Sequence, residues 1–268
     1  MKAIIVNDCS RYEHFGCRMV MDGYRAQLER VGIELLDTVP NGALNRGISD
    51  KWARRFDKAD LLIVNGEGSI HHDAHPNLIR LAARWPAVLM NGVYEANTPM
   101  PEMGRFLLRA MREPFSAEQI RREGWNCGVV PDVLISAPIF KNPPDVFVEF
   151  KTTFGWTDSS ADGLPGNVPL VADPAEYMKS LAIFSQGVAC GRFHAILLCA
   201  RMRIPFAAYP ANTWKNLSLM HDMGLQHLFC PDPLEALPPE VFPEEATHYL
   251  KWADGMVDLF FENLEGLV

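Results

Sequence analysis

Short apolar runs alternate with stretches of helical periodicity along most of the chain. Residues 3–6 form a β-rich run that ends in the polar pair Asn7-Asp8. Residues 19–31 then space their apolar side chains as a helix does, with Gly32 as the expected stop. A second strand is predicted over 33–36, a helix over 51–59, and a buried strand over 60–66 that runs into a glycine turn. Helical character returns at 75–83, and residues 87–91 make another apolar strand. Residues 103–111 and 116–123 read as helices, the latter capped by Ser116, before a short strand at 129–130.

This alternation marks an α/β fold with mostly parallel sheets. Lys141-Asn142-Pro143-Pro144 interrupts it, because two prolines end regular structure. The expected division is an N-terminal lobe of residues 1–140 and a C-terminal lobe of 141–268. In the second lobe the pattern gives a strand at 146–150 and a loop or lid at 151–167, rich in Gly, Ser, Thr and Asp. A helix at 174–184, a strand at 187–190, a helix at 194–200, a strand at 206–209 and a helix at 214–223 follow. A closing amphipathic helix spans 247–264.

Composition narrows the functional classes. With 268 residues, 48% hydrophobic and 22% charged, the chain is an ordinary globular protein able to bury a real core. Its net charge of −8 argues against a general nucleic-acid binder, whose footprint is basic, yet leaves room for a local cationic pocket. No apolar run approaches the ~18 residues of a membrane span, and the amino terminus turns polar too early for a signal peptide. Cys9, Cys17, Cys127, Cys190, Cys199 and Cys230 form no Cys-x-x-Cys pair and no zinc-ribbon spacing. A reduced, cytoplasmic protein is the expectation.

Candidate chemistry gathers at predicted strand ends, where open α/β sheets bind ligands. Gly191-Arg192-Phe193-His194-Ala195 places a guanidinium and an imidazole two residues apart at the lip of a buried strand, suited to phosphate or carboxylate. The turn Asn65-Gly66-Glu67-Gly68-Ser69 leads into a helix whose first N–H groups favour anions. Glu67 itself suits a general base or a sugar-hydroxyl acceptor. His71, His72, Asp73 and His75 invite a metal reading, but Pro76 follows at once and no Glu lies between the histidines. They are read as a polar cleft rim, and no metal is expected. Asn91 and Glu95 extend that rim.

These pieces, in this order, resemble the polysaccharide pyruvyl transferases, cell-envelope enzymes with a two-lobed fold like that of GT-B glycosyltransferases. The resemblance rests on His14-Phe15-Gly16-Cys17, the turn 65–73, Arg112-Glu113-Pro114-Phe115-Ser116, Val130-Pro131-Asp132, Gly191-Arg192-Phe193-His194-Ala195, Ile204-Pro205, Trp214-Lys215 and Met223-Gly224-Leu225. It implies two Rossmann-like lobes, and transfer of a carboxyethylidene unit from phosphoenolpyruvate onto two sugar hydroxyls without an obligatory cofactor. Arg192, Lys215, Arg112, Ser69 and Gly68 would hold the donor. His194 and Glu67 would be acid and base, and Asn65, His71, His72, Asn91 and Glu95 would face a glycan or lipid-linked sugar. Only sixty positions separate Asp132 from Arg192, so the second lobe is shortened, and Glu67 stands where many relatives carry glycine. A glycosyltransferase using a nucleotide-activated sugar, such as a CMP-linked acidic one, is the rival reading. A catalytically inactive sugar-binding or assembly subunit is the third, and a homo-oligomer is compatible with all three.

Overall fold

The structure, a computed structural model, describes residues 1–68, 70–145, 154–158, 166–184 and 186–267. Ser69, the predicted strand at 146–150 and most of the predicted loop at 151–167 lie outside the described residues. In chain order the first part comprises β1 (Lys2–Asp8), α1 (Phe15–Arg30), β2 (Glu34–Pro40), α2 (Asp50–Phe56), β3 (Leu61–Asn65), α3 (Pro76–Arg80) and β4 (Ala87–Gly92). It continues through β5 (Leu108–Met111), α4 (Pro114–Arg122), β6 (Gly128–Val129) and α5 (Pro138–Lys141). The second part comprises β7 (Gly155–Trp156), α6 (Pro174–Ala182), β8 (Val188–Cys190), α7 (Phe193–Met202), β9 (Phe206–Ala208), α8 (Lys215–Asp222) and α9 (Glu245–Glu262).

Six strands form one parallel sheet in the order β2-β1-β3-β4-β5-β6, and β7-β8-β9 form a second parallel sheet. The expected α/β class with mostly parallel sheets is therefore what the chain adopts. Strands β1, β3 and β4 carry unbroken apolar runs, 3–6, 61–64 and 87–90, because both of their faces are covered. Alternate residues divide cleanly: Ala3, Ile5, Leu61, Ile63, Val88 and Met90 join one core, whereas Ile4, Val6, Leu62, Val64, Ala87 and Leu89 join another. The second core is closed by Phe56, Leu78, Ile79, Ala117 and Ile120. The first continues through α1 into α6, α7, the inner face of β8 and β9, and α9. On the outer face of the small sheet only Ala189, Tyr209 and Ala236 cluster among the described residues. Among those residues, no helix is long and apolar enough to cross a membrane.

Three local expectations are corrected. Residues 103–111 are not helical: a 3-10 turn at Pro101–Arg105 gives way to β5, where Val88 and Leu89 of β4 pair with Leu108 and Arg109. Sheet pairing overrides the local periodicity. The helix expected at 116–123 starts at Pro114, and its cap is Glu113, whose carboxylate accepts from the N–H groups of Phe115 at 2.8 Å and Ser116 at 3.1 Å. Ser116 Oγ instead accepts from the Tyr94 amide. Within the predicted loop 151–167, Gly155–Trp156 pairs with β8 as a strand.

Helix α1 is packed so closely that it tolerates no side chain at Gly23. A Cβ there would lie 2.1 Å from the Val133 carbonyl oxygen, in the 3-10 turn Val133–Ser136. Alanine is the better helix former by ~1 kcal/mol, yet overpacking costs about 1–3 kcal/mol and the contact here is with backbone. With the clash on backbone placing the cost at the upper end of that range and the helical gain subtracted, Gly23→Ala should lower the unfolding free energy in urea titrations by about 2 kcal/mol. A variant as stable as the native chain would contradict this packing.

Candidate functional site

The order β2-β1-β3 reverses the direction of winding beside β1, and a crevice opens there at the carboxyl ends of the strands. Cys9 follows β1, Glu67 follows β3, and His14 and Cys17 come from the start of α1. Gly191 and Arg192 follow β8, His194 lies in the first turn of α7, and Lys215 opens α8. All of them, with Arg112 and Gly68, line one cleft of about 270 Å³. The acidic turn and the cationic tripeptide expected from sequence to face each other do share a cavity.

Its floor is a buried ionic network. Arg112 Nη1 donates to Asp132 Oδ2 at 2.8 Å, and the same oxygen lies 3.2 Å from His194 Nε2. Side-chain exposure is 2% for Arg112 and 0% for Asp132, so neither charge is solvated and each needs the other. Burial alone would raise the Asp132 carboxyl. The charge and hydrogen bond of His194 and the charge of Arg112 outweigh it and hold that carboxyl at about 2. Arg112 also lies over the Phe193 ring at 4.2 Å, and its buried Nε has no hydrogen-bond partner among the described residues. Gly16 makes the close approach of α1 possible, since a Cβ would fall 1.9 Å from His194 Nδ1.

Above this floor, Glu67 Oε1 stands 3.5 Å from His194 Nε2 and 3.7 Å from Cys17 Sγ, while Cys9 Sγ donates to Oε2 at 2.6 Å. Hydrogen bonding with Cys17, burial and the Glu67 charge push the Cys9 thiol up. Lys215, half-buried, donates to Asn212 Oδ1 at 2.6 Å. Burial and the charges of Arg112 and Arg192, partly offset by Glu67 and Glu95, lower its ammonium to about 7. His14 caps α1 by accepting from the Gly16 amide at 3.0 Å. Burial, followed by the His194 and Arg192 charges, lowers its imidazole to about 3.

Other expected residues stand elsewhere or are already engaged. The Arg192 fork is taken by Asp158, with Nε at 2.9 Å from Oδ1 and a second contact from Nη2, so its anionic partner is part of the chain. Asn65 and Asn91 are buried framework rather than acceptor contacts. Asn65 Oδ1 accepts from the Glu67 amide at 3.3 Å and from Asn91 Nδ2 at 3.3 Å, and Asn91 Oδ1 accepts from the Val133 amide. Glu95 Oε2 accepts from the Trp214 amide at 2.9 Å, outside the cleft lining. His71 and His72 pair with each other, Nδ1 to Nδ1 at 3.0 Å, beside the cleft rather than in it. Gly68 lines the cleft with φ +56, whereas Ser69 lies outside the described residues. The sequence assigned no chemical role to Cys9, Cys17, Asp132 or Asp158, although Cys17 and Asp132 stand in segments that carry the resemblance.

No family model matches the chain, and no curated protein matches it. Among solved structures, an uncharacterized protein from Klebsiella pneumoniae is similar at a TM-score of 0.58 and 11% identity, over 86% of this chain and 93% of that one. The periplasmic binding protein component of an arabinose ABC transporter from Shewanella sp. ANA-3 overlaps at a TM-score of 0.34 and 9% identity, over 97% and 98% of the two chains. The first likeness is one of fold, and the second is too low to compare.

Breaking the ionic floor should measurably destabilise the fold. Asp132→Asn leaves the Arg112 charge buried without its counterion, which should cost about 3–5 kcal/mol. Because folding lowers this carboxyl from 3.8 to about 2, its contribution is complete above pH 3.8 and is lost as pH falls toward 2. Denaturation series should show that acid-side loss in the native chain and a flatter profile over the same interval in Asp132→Asn. Parallel profiles would contradict the assignment.

Proposed function

We propose that the chain is a transferase that moves a pyruvyl unit from phosphoenolpyruvate to a pair of sugar hydroxyls, in the manner of the polysaccharide pyruvyl transferases it resembles. The observation that carries this reading is the meeting of Arg112, Arg192 and Lys215 with His194 and Glu67 around one cleft. Lys215 and Arg112, with the Asp158-paired Arg192 beside them, suit a small donor bearing a phosphate and a carboxylate, and preorganised cations stabilise charge that moves onto departing phosphate. The volume of about 270 Å³ also favours this donor over a nucleotide sugar, since it falls at the lower edge of the roughly 300–1,000 Å³ of small-molecule sites.

In this reading His194, oriented by Asp132, delivers a proton to the methylene carbon of the enol. Glu67 receives the proton of the first attacking hydroxyl. A bond forms from that oxygen to the central carbon, and the bond to the phosphate oxygen breaks with its electron pair leaving on phosphate. The second hydroxyl then closes the ketal, its proton passing to phosphate or solvent. Arg112 and Lys215 hold the anion, and the unpartnered Arg112 Nε is a donor for it. A cytoplasmic location, where such a donor is made, belongs to the same proposal.

Purified protein, phosphoenolpyruvate and a panel of sugar acceptors should yield inorganic phosphate and a ketal methyl signal by NMR. His194→Ala should lower turnover by about 10²–10⁴-fold with the fold intact by circular dichroism. No turnover, together with no thermal stabilisation by phosphoenolpyruvate, would defeat the proposal. Stabilisation by a nucleotide sugar alone would transfer it to the glycosyltransferase reading.

The lowered Lys215 ammonium adds a pH signature. It is charged below about 7 and neutral above, so phosphoenolpyruvate should bind more weakly as pH rises through that value. Lys215→Arg stays charged throughout and should abolish the decline in a titration of Kd against pH. An unchanged decline in that variant would remove Lys215 from the donor site.

A further inference from the structure

We propose that Cys9, Cys17 and Glu67 form a binding site for a thiophilic divalent metal, zinc by ligand chemistry, at the switch point of the large sheet. The two Sγ atoms and a carboxylate oxygen all lie within 4.8 Å of one another. They come from three separate backbone positions: the residue after β1, the first turn of α1 and the second residue after β3. Metal–sulfur bonds of ~2.3 Å and a metal–oxygen bond of ~2.1 Å at tetrahedral angles put ligand atoms about 3.6–3.8 Å apart. Cys17 Sγ and Glu67 Oε1 already stand at 3.7 Å. On the third side Cys9 Sγ would exchange its hydrogen bond with Oε2 for the metal, keeping the contact from Asn65 Nδ2 at 3.7 Å.

The setting favours occupation. A carboxylate crowded by two thiols, with Cys9 and Glu67 both buried, is an arrangement that a dication relieves directly, the two thiol protons leaving to solvent. Two thiolates and a carboxylate outweigh the dication, so the loaded cluster keeps negative charge that Arg112 and Lys215 of the same cleft offset. His194 Nε2, 3.5 Å from Glu67 Oε1, faces the ligand oxygen. Three protein ligands leave a fourth position open toward the cleft, the pattern of reactive rather than purely structural zinc sites. Two soft sulfurs with one carboxylate select zinc over magnesium or calcium.

This inference goes beyond the transferase reading and does not need it. A metal-bound Glu67 is no longer free to take a proton, so the two occupations of that carboxylate exclude each other at any one moment.

The test uses metal alone, without substrate. Reduced native protein titrated with cobalt(II) should develop a thiolate-to-cobalt charge-transfer band saturating at one ion per chain, and zinc(II) should displace it. Cys9→Ser and Cys17→Ser should abolish the band. Glu67→Gln should weaken binding beyond the roughly 10–100-fold that outer partners of a metal site cost. Cys127→Ser and Cys230→Ser should leave it unchanged. Absence of the band overturns the site, as does its persistence in the Cys9→Ser/Cys17→Ser double variant. So does its loss in Cys190→Ser or Cys199→Ser, whose sulfurs form a separate buried pair at 3.9 Å. Should a cysteine variant fail to fold, alkylation of the native protein decides the matter. Zinc(II) should protect Cys9 and Cys17 from iodoacetamide by mass spectrometry, and equal labelling with and without the metal refutes the proposal.

Discussion

A guanidinium and a carboxylate, both withdrawn from water and joined at 2.8 Å, fix where everything else in the cleft can stand. Arg112 follows β5 and Asp132 follows β6, so the pair ties two adjacent strand ends. Asp132 then shares one oxygen with His194, which belongs to the second part of the chain. With its other oxygen it accepts from the Leu134 amide at 2.9 Å and caps the turn on which α1 packs. A buried ion pair seldom adds net stability over an apolar replacement of similar shape, because desolvation consumes most of the Coulomb gain. Its physical effect here is positional: loss of either partner strands a charge, so the imidazole, the turn and α1 are held in one arrangement.

Helix α1 carries that arrangement across the molecule. Its inner face joins the core that spans the large sheet, α6, α7 and α9, and Phe15 stacks on Tyr177 with ring centroids 3.6 Å apart. At its far end Gln27 donates to both Ser136 and Asp258, and Arg30 pairs with Glu262 at 2.8 Å. The closing helix thus returns to the first part of the chain. The small sheet, thinly covered on its outer face, relies on this continuous core.

Much of the fold was legible because apolar runs of four to six residues in a parallel sheet announce themselves without any partner in view. The strand at β5 was not, since Leu108, Ala110 and Met111 fit helical spacing equally well and only pairing with β4 decides between them. At the site, Glu67 and His194 were visible as polar residues closing apolar strands. Asn65 and Asn91 obeyed the same rule yet turned inward, where each amide satisfies backbone groups at neighbouring strand ends. The sulfur–carboxylate cluster escaped notice for a different reason. Metal motifs are searched as local pairs, whereas Cys9 and Glu67 are 58 positions apart and meet only because β3 lies beside β1.

The distribution of satisfied and unsatisfied donors also reorders the cationic residues. Sequence alone put Arg192 first, as an arginine at the lip of a buried strand suited to phosphate or carboxylate. Asp158 is its counterion, and that contact raises the guanidinium's hold on its proton. The anionic donor proposed above would have to displace or share that carboxylate at Arg192. Arg112 keeps a buried Nε without a partner among the described residues, and the Lys215 ammonium is lowered by burial and by the charges of Arg112 and Arg192. Arg112 and Arg192 each hold a carboxylate of the chain, Asp132 and Asp158, whereas Lys215 donates to the neutral Asn212. For the donor proposed above, the seat of negative charge is therefore nearest Lys215, with Arg192 and Asp158 forming a self-neutralised wall beside it.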